Sequence, residues 1–254
     1  MTSASLGFVV RTELNKAATA NGFRVTDGEA DGWLKFKSSS ASGTLFLTGA
    51  GDQGPWYVGL DHAGVVPELE VDPDPISGPG LARYKFSSLK TYYEALERIY
   101  QLSASLPDGP LHDFEGAIRD LPRNTEAERL LVQRVGQEKF RSALIDYWDG
   151  TCPLTGISDP ALLRASHIRP WADCETDAER LNTYNGLLLS SLWDAAFDKG
   201  LVSFDDDGAP IYGPNLSEKA RDALEHQVQQ CIPIRDAHRE RLAYHRQHVF
   251  QEED

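Results

Sequence analysis

His167, Asn185, Asp194 and Asp198 fall within one short stretch of the chain, and their types could do phosphodiester chemistry. A neutral imidazole can take a proton from water near pH 7, because its unperturbed pKa is about 6.5. An amide can hold that ring, or the loop around it, without adding a charge that titrates. Asp194 and Asp198 are four residues apart, so on a helix they share a face and can point at one ion. Paired oxygen ligands suit Mg²⁺ or Mn²⁺ rather than zinc. A lone histidine is more often structural than catalytic, so the case rests on these neighbours and not on His167 alone.

The elements that must position these groups read as follows. Residues 162–168 and 186–189 are strands, and residues 191–199 a helix. Runs at 201–204 and 209–212 flank Asp205-Asp206-Asp207-Gly208, a hairpin signal; a polar turn explains those aspartates better than a metal site does. Terminal helices are expected over 217–230 and 235–250, and a long helix over 126–148 with cap candidates at Asn124, Thr125 and Glu126. Leu154, Leu187, Leu189, Trp193 and Phe197 are the expected core of this half.

The N-terminal half has a helical pattern from Ser3 to Asn21, stopped by Gly22. Four β-rich runs follow, at 23–25, 33–36, 44–48 and 56–60, forming a small antiparallel sheet. Residues 66–80 are acidic and rich in Pro and Gly, hence a loop. A helix over 87–103 carries Tyr92, Tyr93 and Tyr100 as core. The fold class is α+β: an N-terminal unit over 1–106, a linker over 107–124 containing Pro107, Gly109, Pro110, Gly116 and Pro122 with room for a short turn of helix, and a C-terminal unit over 125–254.

Composition limits the function. No apolar run approaches the roughly 18 residues of a membrane helix, and no basic start with an apolar core marks a signal peptide. Cys152, Cys174 and Cys231 are far apart and form no CxxC pair, so neither a disulfide framework nor a structural zinc site is indicated. A reduced, cytoplasmic protein is the simplest reading. The net charge of −14 counts against a bulk electrostatic grip on DNA, where phosphate neutralisation supplies most non-specific affinity. It leaves room for a local basic groove, or for a metal that supplies the positive charge.

The run Ala165-Ser166-His167-Ile168-Arg169-Pro170-Trp171, then Asn185-Gly186-Leu187-Leu188-Leu189 and Phe197-Asp198-Lys199-Gly200, resembles the HNH nuclease family. It is most similar to a restriction-type subgroup with an A-H-I-x-P-W … N-G-L-L-L … FD-x-G pattern, over roughly residues 135–250. The resemblance implies a C-terminal ββα-metal domain with flanking helices, acting as a DNA endonuclease in restriction or defence, with modified-base dependence left open. His167 would be the general base and Asn185 the orienting residue. Asp194 and Asp198 would hold Mg²⁺ or Mn²⁺. Ser166 stands where many members carry an Asp or His ligand, and is a weak replacement. Arg164, Arg169 and Lys199 could contact phosphates, although each also reads as an ordinary solvated cation.

Trp171 reads as core cover, and His245 and His248 as surface residues of a terminal helix. One such site per chain implies a homodimer for double-strand cutting. The N-terminal unit would select the target, with Arg24, Lys35, Lys37, Arg83, Lys85 and Lys90 as contacts. The alternatives are an inactive HNH-shaped DNA- or protein-binding module, a nuclease of RNA or single strands, and a toxin-like effector.

Overall fold

The computed structural model describes residues 6–106, 109–119, 121–122 and 125–250. The chain divides into two compact units, 1–109 and 110–254. The starts expected at Ser3 and Asn124, and Pro107 of the expected linker, lie outside the described residues.

In the first unit, helix α1 (Phe8–Ala20) precedes five strands: β1 (Val25–Ala30), β2 (Trp33–Lys37), β3 (Thr44–Gly49), β4 (Trp56–Asp61) and β5 (Ala82–Phe86). They form one antiparallel sheet in chain order, the simplest arrangement for consecutive strands, although residues 62–81 make a long connection between β4 and β5. The fifth strand is an addition to the four runs expected. Its Ala82, Tyr84 and Phe86 turn inward and Lys85 outward, the two-residue period of a half-buried strand. Helix α2 (Leu89–Ser105) is capped by the Ser88 hydroxyl, which accepts from the Thr91 N–H. It buries Tyr92, Leu96, Ile99 and Leu102, an i, i+4, i+7 stripe laid on β4 and β5. Tyr92 is fully covered, whereas Tyr93 is half-buried and donates to the Glu13 carboxylate.

The second unit begins in the stretch expected as linker. Residues Gly109–Ile118 form helix α3, which buries Phe114 and Ile118. Helix α4 (Glu126–Tyr147) starts with a capping box: the Thr125 hydroxyl accepts from the Glu128 N–H, and the Glu128 carboxylate accepts from the Thr125 N–H. Two strands, β6 (Leu163–His167) and β7 (Gly186–Ser190), pair antiparallel from Leu163↔Ser190 to His167↔Gly186. The one-turn helix α5 (Asp177–Arg180) lies in the connection between them, and α6 (Ser191–Asp198) follows β7 directly. The hairpin and α6 together make a ββα unit. Every residue of β7 is buried, so it is covered on both faces. On one side α4 packs so closely that a Cβ at Gly186 would come within 2.5 Å of Phe140 and 2.7 Å of Leu144. Only glycine fits there.

Strands β8 (Val202–Phe204) and β9 (Pro210–Tyr212) form the expected hairpin. The Asp205 carboxylate closes its turn by accepting from the Asp207 and Ala209 N–H groups. Helix α7 (Glu218–Glu225) is shorter than the 217–230 pattern, because residues beyond it leave the helix to pair with the Cys152 turn; the Gln229 N–H donates to the Leu154 carbonyl. Helix α8 (Asp236–His248) closes the unit over β8 and α6.

Candidate active site

His167 ends β6. Its ring stacks on Phe140 of α4, with centroids 3.8 Å apart and planes 15° apart, and meets Trp171 edge-on at 5.4 Å. Its Nε2 lies 2.9 Å from the Arg180 carbonyl. A carbonyl can only accept, so Nε2 carries the proton and Nδ1 carries the lone pair. Among the described residues Nδ1 has no hydrogen-bond partner, and it is not among the fully buried unpartnered atoms. Burial lowers the pKa of this histidine to about 4, against smaller raising effects from the Arg180 carbonyl and Asp198. The imidazole is therefore neutral at pH 7, with one nitrogen committed and the other available.

Asn185 is buried beneath the connection between β6 and β7. Its side-chain oxygen accepts from the Arg169 N–H at 2.9 Å. Its NH₂ donates to the Arg169 carbonyl at 3.2 Å and the Glu179 carbonyl at 3.4 Å, and lies 3.5 Å from the Cys174 sulfur. The amide therefore fixes both ends of the loop behind His167 and does not touch the ring. A buried polar group costs free energy unless hydrogen-bonded, and here every bond made also ties down loop backbone.

Arg180 was not singled out by the sequence, yet it is the hub of this loop. Its carbonyl fixes the His167 tautomer. Its guanidinium donates to the carbonyls of Trp171 and Cys174 and pairs with the Asp177 carboxylate at 3.0 Å. Phe140 was missed as well; it is the surface on which the imidazole lies.

On α6, Asp194 and Asp198 are four residues apart, about one helical turn. Asp194 accepts a 2.6 Å hydrogen bond from the Ser166 hydroxyl. Its pKa is raised, chiefly by desolvation, against the Ser166 bond; the negative charge of Asp198 raises it further, and Arg164 lowers it. A half-buried carboxylate beside another carboxylate gains from a cation. The donors present are two carboxylates and a hydroxyl, all hard oxygens of the kind Mg²⁺ accepts while keeping several waters. Among the described residues no three His, Cys, Asp or Glu side chains converge on one point, so water would have to complete any such shell.

The remaining expected contacts divide. Arg164 is exposed and donates to the carbonyls of Ala161 and Leu163. The Arg169 guanidinium lies over the Tyr244 ring at 4.8 Å. Lys199 caps the end of α6 and is exposed. Trp171 is half-exposed, contacting His167. His245, expected at the surface, is instead buried. It stacks on Phe197 at 3.9 Å, hydrogen-bonds the Ser203 hydroxyl, and lies 3.2 Å from the Phe197 carbonyl. Burial lowers its pKa to about 4. Only His248 of that pair is exposed. His238, which the sequence reading passed over, is fully buried among Tyr147, Trp148 and Tyr184, with its pKa lowered to about 3. The three cysteines are free thiols, and among the described residues no helix is long and apolar enough to cross a membrane.

A histidine ends the first strand of the hairpin, an asparagine opens the second and acidic groups sit on the following helix, all within one ββα unit. Residues 152–205 match the family model described as HNH endonuclease. The matched stretch holds His167, Asn185, Asp194 and Asp198 and is similar to that family there. No curated protein matches the chain.

Proposed function

We propose that the C-terminal unit is a metal-dependent DNA endonuclease that hydrolyses phosphodiester bonds. The observation that supports this reading most is the state of His167. Its Nε2 is committed to the Arg180 carbonyl, which leaves the Nδ1 lone pair unpaired among the described residues, and burial keeps the ring neutral at pH 7 while making it a weaker base than a free imidazole. Nδ1 would take a proton from the attacking water. Stacking on Phe140 and the Asn185-anchored loop hold the ring still, which favours a single attack geometry. Asp194 and Asp198 would hold Mg²⁺ or Mn²⁺, and Ser166 would orient the Asp194 carboxylate through its hydroxyl. A cation bound there supplies Lewis-acid stabilisation of charge on the phosphate and its leaving oxygen. Arg164 and Arg169, near the two ends of β6, supply cations for flanking phosphates. The products would be a 5′-phosphate and a 3′-hydroxyl.

Restriction-type action, target selection by the first unit and a homodimer complete the proposal. The first unit's Lys35 and Lys37 both pair with Asp27, at 2.7 and 3.0 Å, so recognition through those two lysines would require breaking that pair. A second reading, an HNH-shaped binding module without chemistry, draws on the hydroxyl of Ser166 in place of a charged ligand and on the acidic composition. Incubating supercoiled plasmid with the protein and Mg²⁺ or Mn²⁺ decides between them. Nicked or linear product that disappears with chelator supports the enzyme. Binding without any cleavage, across several divalent metals and both unmodified and cytosine-modified DNA, would establish the module.

A further inference from the structure

A cavity of about 170 Å³ lies between α3, α4 and the loop after β6, lined by Phe114, Arg129, Val132, Gln133, Trp171 and Asp177. We propose that this pocket takes one unstacked nucleobase of the substrate strand, and so sets a base preference beside the scissile phosphate. The proposal rests on the endonuclease reading of the His167 site.

Size, shape and chemistry fit a single heterocycle. A cavity of roughly 150 Å³ admits one benzene-sized ring. Phe114 and Trp171 supply aromatic walls, which suit any base because every base has a π-face. They converge over Gly136, where a Cβ would come within 2.7 Å of Trp171 and 3.3 Å of Phe114. The bare glycine is what lets both rings lie against α4. Arg129 and Gln133, one turn apart on α4, offer donors and an amide acceptor, and Asp177 offers carboxylate oxygens. The lining is mostly apolar, as a stacked ring needs, and these polar groups stand where a base edge, which presents donors and acceptors together, could meet them.

The position fits too. Trp171 forms a wall of the pocket and also meets the His167 ring. Gln133 and Phe140 are seven residues apart on one helix, about 10 Å along its axis. A base in the pocket would therefore belong to a nucleotide near the phosphate served by His167. Arg180 ties the two sites together, since it holds the Trp171 carbonyl and the His167 ring at once.

The test uses the full chain and labelled oligonucleotides carrying one abasic site, moved stepwise through a mapped cleavage site. One position close to the cut should show cleavage slowed about 5- to 150-fold, the range expected for losing one base–aromatic stack. Val132→Trp, which fills the cavity from a half-exposed position, should slow cleavage of the intact strand and remove the positional sensitivity. A second readout needs no cleavage. With His167→Ala protein, 2-aminopurine at the sensitive position should change fluorescence on binding, and the added Val132→Trp change should abolish that response. If the wild type cuts DNA yet every abasic position behaves alike, the pocket assignment is wrong and the endonuclease reading stands. If the wild type cuts nothing, the endonuclease reading is wrong. The pocket is then judged with 2-aminopurine scanned along the strand: no response at any position overturns it.

Discussion

The two units bury different things. The first buries Trp56, Tyr84 and Tyr92 with Thr44, Glu68, Ser103 and Ser105, and its Lys35 and Lys37 both pair with Asp27. The second has an aromatic core of its own, Phe140, Trp193, Phe197 and Phe204, and encloses with it an amide and two imidazoles, Asn185, His238 and His245, with His167 largely covered. Desolvating such groups costs free energy, and perturbed ionisation clusters at functional sites. What sets the second unit apart is the set of directed hydrogen bonds around His167 and Asn185, and the proposed chemistry rests on that set.

After His167 itself, the largest effects should come from the acidic pair. Asp194→Asn, or Asp198→Asn, should lower metal-dependent cleavage by about 10²–10³-fold, the scale of losing a preorganised electrostatic group. Asp194→Asn should at the same time keep or raise the Tm, because the fold already disfavours the charged carboxylate. Thermal unfolding and initial cleavage rates, measured on the same preparation, check both halves. A variant that loses stability and activity together would place Asp194 among structural residues.

Next comes the amide. Asn185→Ala leaves the Arg169 N–H without its acceptor and takes one donor from each of the Arg169 and Glu179 carbonyls. It should cost about 1–3 kcal/mol and slow cleavage by about 10–100-fold, as for other positioning contacts around a site. Urea unfolding and kcat measure the two. Full activity would show that the loop does not need this anchor.

Acid should distinguish the units as well. His167, His238 and His245 all have folded pKa values lowered by burial, to about 4, 3 and 4. Above pH 6.5 both states are neutral and contribute nothing. As pH falls below 6.5 the unfolded chain binds protons that the native state refuses, so stability is lost progressively down to the folded values. Each histidine contributes a slope of up to about 1.4 kcal/mol per pH unit in that window. Urea midpoints between pH 7 and pH 4.5 should fall, and His245→Gln should flatten the decline. A pH-independent midpoint would contradict the burial of these rings.

The smallest effect belongs to the first unit. Asp27→Asn releases Lys35 and Lys37 from an exposed ion pair, and such pairs contribute little to stability. The Tm and the metal-dependent nicking rate should both stay unchanged. A faster nicking rate would show that this sheet surface meets DNA.

Much of the C-terminal site was legible because its pattern is local. Strand, strand and helix follow one another, and Leu187, Leu189, Trp193 and Phe197 are all buried. What escaped has physical reasons. Arg180 acts on His167 through its carbonyl, a group every residue type carries, so no side-chain pattern announces it. His238 and His245 occupy the inward face of α8 with Leu242, and a histidine in a charged helix reads as solvated until Phe197 and Ser203 are placed beside it. Helix α3 was hidden by Pro110 and Gly116, although Phe114 and Ile118 keep a four-residue spacing. Strand β5 was hidden by the Pro- and Gly-rich loop before it and the helix directly after.

The proposed nuclease activity depends on His167 as the proton acceptor. The most direct test compares nicking of supercoiled plasmid by the wild type and His167→Ala in Mg²⁺ or Mn²⁺, with circular dichroism confirming equal folding. General-base removal should slow nicking by about 10²–10⁴-fold. A folded variant that nicks within twofold of the wild-type rate would contradict it.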